Sequence, residues 1–81
     1  MEIGTLVYSI AGHDKGQYFI VTQIDQDFCF LVNGKQRKLS NPKKKNPKHV
    51  RKTNMKFSLN DQNTDKEIRR FINVQRGYDR S

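Results

Sequence analysis

What most limits the folding of this chain is where its apolar residues lie: 17 of its 27 hydrophobic residues fall in the first 34 of 81 positions. A chain of 81 residues makes one small domain, because domains usually need about 100–200 residues each. The core must therefore be built mainly from residues 1–34, and a deep substrate cavity is not expected. Leu, Ile, Val and Phe supply 20 of the 81 residues, a share above the level of about 20% below which disorder prevails.

Gly4 to Ser9, Gln17 to Ile24 and Phe28 to Val32 are rich in β-branched and aromatic residues and are bounded by Gly, Asp and Asn. This pattern reads as three short strands. Asn33-Gly34 follows directly, and a type I′ turn takes such a pair because both of its central residues need positive φ. A hairpin is predicted there, with Lys35 to Leu39 returning as a fourth strand. A fifth strand is predicted over His49 to Thr53, with Val50 as its apolar contact. The expected fold class is mainly β: a small barrel of about five strands over residues 1–53. Most of Tyr8, Tyr18, Phe19, Phe28 and Phe30 should lie inside so small a core, with Tyr8 or Tyr18 the better candidate for exposure.

Residues 54–81 read as a linker and a short C-terminal helix. Thr64-Asp65-Lys66-Glu67 fits a capping box, in which Thr64 caps the first turn and Glu67 reaches back. Ile68, Phe71 and Ile72 then form one apolar stripe at helical spacing. Gly77 suits the left-handed position after a helix end, so the helix is predicted over residues 65–76. Twelve such residues are marginal alone in water, and the tail is expected to dock weakly or to order on a partner.

Charge is distributed as unevenly as apolar content. Sixteen Lys and Arg against eight Asp and Glu give a net charge of +8, which favours anionic partners. Residues 35–56 carry ten of the sixteen bases and no acid, whereas residues 1–34 are net −3. Ten bases without acids can neutralise several phosphates, and each neutralised phosphate releases condensed counterion. Pro42 and Pro47 hold Lys43, Lys44 and Lys45 away from helical conformation, so these lysines should splay along a phosphate backbone. A basic loop can also be nothing more than a solvated surface.

The loop Gly12-His13-Asp14-Lys15-Gly16 joins the first two strands, and its glycines allow positive φ and close approach by another molecule. With Leu6-Val7-Tyr8-Ser9 before it and Phe19-Ile20-Val21 and Phe28 to Val32 after it, this loop resembles a KOW motif centred on Gly16. The resemblance implies an SH3-like barrel of the kind found in ribosomal proteins and transcription elongation factors. Asn33-Gly34-Lys35-Gln36-Arg37-Lys38-Leu39 and Pro42 to Val50 extend it toward small bacterial KOW proteins related to ribosomal protein L14e, over residues 4–53.

The resemblance implies RNA binding, with ribosomal RNA as the expected partner and ribosomal proteins as further neighbours. RNA suits the chain better than duplex DNA, since no recognition helix is evident and RNA is often read by shape. His13, Lys15 and Gly16 would approach the backbone from the glycine loop, and Lys35, Arg37 and Lys38 would flank it from the hairpin. Lys43, Lys44, Lys45, Lys48, His49, Arg51 and Lys52 would track phosphates. Arg37 and Arg51 add bidentate or stacking contacts that Lys cannot copy. The alternative is an adaptor that docks a protein of the transcription or translation machinery through the barrel.

No enzyme, cofactor, metal or small-molecule substrate is expected. His13 beside Asp14 lacks the nucleophile and third group of a catalytic site, and Cys29 has no CxxC or paired-His spacing that would make it a metal ligand. One cysteine cannot pair within the chain, and Met1-Glu2-Ile3 lacks the start of a secretory signal. A cytoplasmic protein is expected. The longest apolar run, Phe28 to Val32, is far short of the about 20 residues that span a membrane.

Overall fold

A computed structural model describes residues 1–79. Among these, β1 (Thr5–Ser9), β2 (Tyr18–Ile24), β3 (Cys29–Val32), β4 (Lys43–Lys45) and β5 (Val50–Lys56) form one antiparallel sheet in the order β4-β3-β2-β1-β5. One helix, α1 (Asp65–Asp79), follows. The two edge strands, β4 and β5, are not hydrogen-bonded to each other. They are nevertheless consecutive in the chain and joined by a single 3-10 turn, Pro47–His49. That short connection curls the sheet toward a barrel without closing it. Register shifts between Thr5 and Val7 and between Val21 and Gln23 help, because bulges bend a strand and raise its twist.

Both faces of the sheet are apolar, which explains why the strand sequences read as continuous hydrophobic runs. One face carries Val7, Phe19, Val21, Cys29 and Leu31, with Val50 packed against them, and forms the interior of the curl. The other carries Leu6, Ile20 and Val32 and is covered by Ile68 and Ile72 of α1. The tail is therefore part of the core. Ile68 is fully buried and Ile72 is 5% exposed, and each such burial is worth about 1.5–3 kcal/mol. Phe57, Leu59 and Phe71 seal the margin, with the Phe57 and Phe71 rings 5.0 Å apart and edge-on. The segment expected to be a linker thus runs beneath the helix, and β5 continues to Lys56.

The capping box forms as read: the Thr64 amide donates to Glu67 Oε1 at 2.8 Å, and the Glu67 amide donates to Thr64 Oγ1 at 3.2 Å. Gly77, expected to end the helix in the left-handed region, lies inside α1 without positive φ. The helix continues three residues beyond the predicted end at 76.

The type I′ hairpin and the strand over Lys35–Leu39 do not form. Gly34 has a φ of 75°, but Asn33 has no positive φ. Instead, Asn33 Oδ1 accepts the amides of Lys35 and Arg37, each at 2.9 Å, while the Asn33 and Gly34 amides donate to the Arg37 carbonyl. A side chain that caps its own loop in this way competes with strand pairing. Leu39 turns toward the helix-side core, and its amide donates to Asp65 Oδ1 at 2.7 Å. The place beside β3 passes to Lys43–Lys45. The two prolines do keep that segment extended, at an edge where Pro is tolerated.

Gly34 also sets how closely the helix can dock, because a Cβ there would fall onto the Asp65 carbonyl oxygen. Gly16 has a similar φ of 89° but meets nothing within 4 Å. Gly16→Ala should cost only backbone strain, about 1–2 kcal/mol. Gly34→Ala should cost clearly more, since the helix must lift from its seat. Thermal melts of the two variants compare them directly, and equal shifts would show that the close approach carries no energy.

Candidate nucleic-acid interface

The loop between β1 and β2 is organised around Asp14, which is buried. Its Oδ1 accepts hydrogen bonds from Ser9 Oγ at 2.6 Å and from Lys45 Nζ at 2.5 Å, and Lys43 Nζ lies 2.7 Å from Oδ2. Lys45 Nζ also donates to the Ala11 carbonyl at 2.9 Å. Burial pushes the Asp14 carboxyl up, but the close contacts with the Lys43 and Lys45 ammonium groups and the Ser9 hydroxyl outweigh it and hold the group well below the usual carboxylate range. Burial raises the Cys29 thiol, and its Sγ lies 3.4 Å from the Lys45 carbonyl oxygen. Cys29 is a core residue.

These contacts divide the basic segment in two. Lys45 is buried and spends its charge inside the fold, and Lys43 pairs with the same carboxylate. Among the described residues, ion pairs otherwise form only between Lys56 and Glu2. Lys15, Lys35, Lys38, Lys44, Lys48, Arg51 and Lys52 are exposed and outside any ion pair. Lys44 stands 4.1 Å from the centroid of Phe28, an aromatic expected inside that instead lies at the surface, 37% exposed. His49 is exposed at the end of the 3-10 turn, and its carbonyl accepts the Ile10 amide at 2.9 Å. His13, Arg37 and Lys43 gather with Asp14 around a recess of about 170 Å³.

A larger groove, about 550 Å³, runs between the sheet and α1. Gly16 and Lys35 line it, so the glycine loop and the Asn33–Gln36 turn form two of its walls. Tyr8 and Tyr18, half-buried, also line it with ring centroids 5.6 Å apart. Arg51 lies directly opposite Tyr8 across the β5–β1 pairing, and Tyr18 opposite Tyr8 across β1–β2. Directly opposed residues share a face, so arginine and two tyrosines form a row across three strands. Lys52, by contrast, sits opposite Val7 on the other face.

The third wall comes from residues that the sequence reading passed over: Arg69, Asn73 and Arg76 of α1. Their i, i+4, i+7 spacing beside the Ile68 and Ile72 stripe was a usable signal. It becomes informative only once the helix is known to lie against the tyrosine face.

Compared with known proteins, the chain matches no protein-family model and no curated protein sequence. Among the described residues, no helix is long and apolar enough to cross a membrane, and no three His, Cys, Asp or Glu side chains group as a metal site would require.

The depressed Asp14 carboxyl links stability to acidity. Its ionised form is favoured in the folded state, so its contribution is complete above its ordinary value of 3.8 and is lost as pH falls below that value. Acid titration of unfolding should show this loss in the native chain and a flatter acid limb in Asp14→Asn. At neutral pH that variant should lose about 3–5 kcal/mol, because it leaves a buried lysine without its counter-charge. An acid limb identical in both proteins would remove Asp14 from this role.

Proposed function

We propose that this protein is a non-enzymatic RNA-binding module of the KOW, SH3-like type, acting in the cytoplasm on ribosomal RNA or on the large ribosomal subunit. The observation that carries the reading is the sorting of charge. The one buried acid of the β1–β2 loop consumes Lys43 and Lys45, while seven other bases of the loop and basic segment face solvent outside any ion pair among the described residues. A surface that leaves cations unpaired is suited to a polyanion. Two further features support RNA in particular. The sheet presents half-buried tyrosines beside arginine in the groove along α1, and among the described residues no helix projects as a reading head into a duplex groove.

Engagement of about six of these bases predicts a log–log dependence of affinity on salt with a slope of about −4 to −5. Replacing Lys44, Lys48 and Lys52 by Ala should make that slope shallower by about 1 per lost contact while changing stability by no more than about 0.5 kcal/mol per site. Titration of structured RNA at several salt concentrations measures both. A native slope shallower than about −2 would sink the electrostatic reading. Co-purification with ribosomal particles provides the cellular test. Association that survives ribonuclease but yields to salt would favour the protein-docking alternative, and loss on ribonuclease treatment would favour RNA.

A further inference from the structure

We infer that the groove between α1 and the tyrosine face is a subsite for one unpaired nucleotide of an RNA strand. This inference rests on the RNA-binding reading above and sharpens it, because a uniformly basic surface would take a duplex as readily as a single strand.

Its volume, about 550 Å³, falls within the range of about 300–1,000 Å³ typical of small-molecule sites. Tyr8 and Tyr18 are tilted by 44°, so a flat base can lie against one ring and meet the other at its edge. Stacking on aromatic side chains is how proteins hold bases that have left a helix. In a duplex the same base faces are covered by neighbouring pairs, which closes this mode to it.

The walls carry the remaining chemistry. Gln17 and Asn73 are exposed carboxamides, and each offers both donors and an acceptor to the edge of a base freed from pairing. Asn33 Nδ2 donates to Gln36 Oε1 at 3.1 Å, which leaves the Gln36 amino group as a remaining donor. Arg69 and Arg76 stand seven residues apart on one helix face, a rise of about 10 Å. With Lys35, which also lines the groove, they give three positive charges beside the aromatic pair, suited to the phosphates flanking one nucleotide. No acid among residues 1–78 lines the groove. At Gly16 the groove is bordered by backbone with nothing within 4 Å of a potential Cβ, so a strand can enter there unobstructed.

With no Trp, emission comes from three tyrosines, two of which line this site, so Tyr78→Phe leaves an emission that reports on it. The full chain is titrated with a short oligoadenylate, with a blunt RNA duplex of equal length and with adenosine monophosphate, each at the same salt. The inference expects the single strand to quench tyrosine emission and the duplex to bind without quenching. Adenosine monophosphate should quench only at much higher concentration. Tyr8→Leu should weaken the single strand by about 5- to 150-fold, the usual cost of a lost stacking contact, and leave the duplex within about twofold. Arg76→Gln changes an exposed helix residue, so it reports on the groove even if Tyr8→Leu folds poorly; it should weaken the single strand selectively. If strand and duplex bind equally and neither variant alters the strand, the groove is not a nucleotide site although RNA binding stands. Quenching by the mononucleotide at strand-like concentrations would overturn the strand as occupant. If neither RNA binds, the RNA reading fails and the subsite with it.

Discussion

The structure depends on one buried carboxylate. Asp14 sits in the loop between β1 and β2, while Lys43 and Lys45 belong to edge strand β4, so their contact ties the two together over the inner face of the curl. A buried ion pair contributes little net stability after desolvation, yet breaking it is costly because it strands a charge. In this sheet, whose edges do not pair, the network fixes where β4 lies and how far the sheet wraps. Ser9, buried at the end of β1, completes it by donating to the same oxygen.

That arrangement changes the meaning of the basic segment. Counting charges along the chain treats all ten bases between residues 35 and 56 as equivalent, and the fold does not. Lys45 performs a core function, Lys43 supports it, and Lys56 pairs with Glu2. The rest keep their charge at the surface. One acid placed thirty-one residues before Lys45 makes the distinction, and no local pattern reveals it.

The three strands β1 to β3, the capped helix and the extended conformation of the Pro-flanked lysines were legible because each follows from local chemistry: β-branched runs, a reciprocal cap, restricted φ. The fourth strand was misplaced because Asn33-Gly34 carries two meanings. The pair favours a two-residue hairpin, but the Asn33 side chain also accepts two amides of its own loop, and contact with the helix start selects the second use. The candidate site was legible in part. Gly16, Lys35 and Arg51 fall at or beside the groove, and Tyr8 and Tyr18 remain half-open. Arg69 and Arg76 were not foreseen, because their place depends on Ile68 and Ile72 burying themselves against Leu6, Ile20 and Val32, a contact across more than thirty residues of intervening chain.

Edge strand β4 carries a further consequence. An exposed strand edge offers unpaired backbone groups to any second chain, and proteins guard such edges with lysine and proline. Here the edge is three lysines in succession, with Pro42 before them and Pro47 two residues after. Two copies meeting edge to edge would bring their Lys44 ammonium groups together, since Lys43 and Lys45 are held by Asp14, and the prolines would leave gaps in any continued ladder. Lys44, exposed and resting over Phe28, covers the nearest apolar surface as well. The strand that completes the sheet on this side thus also ends it, and this edge is guarded against continuation by a second chain.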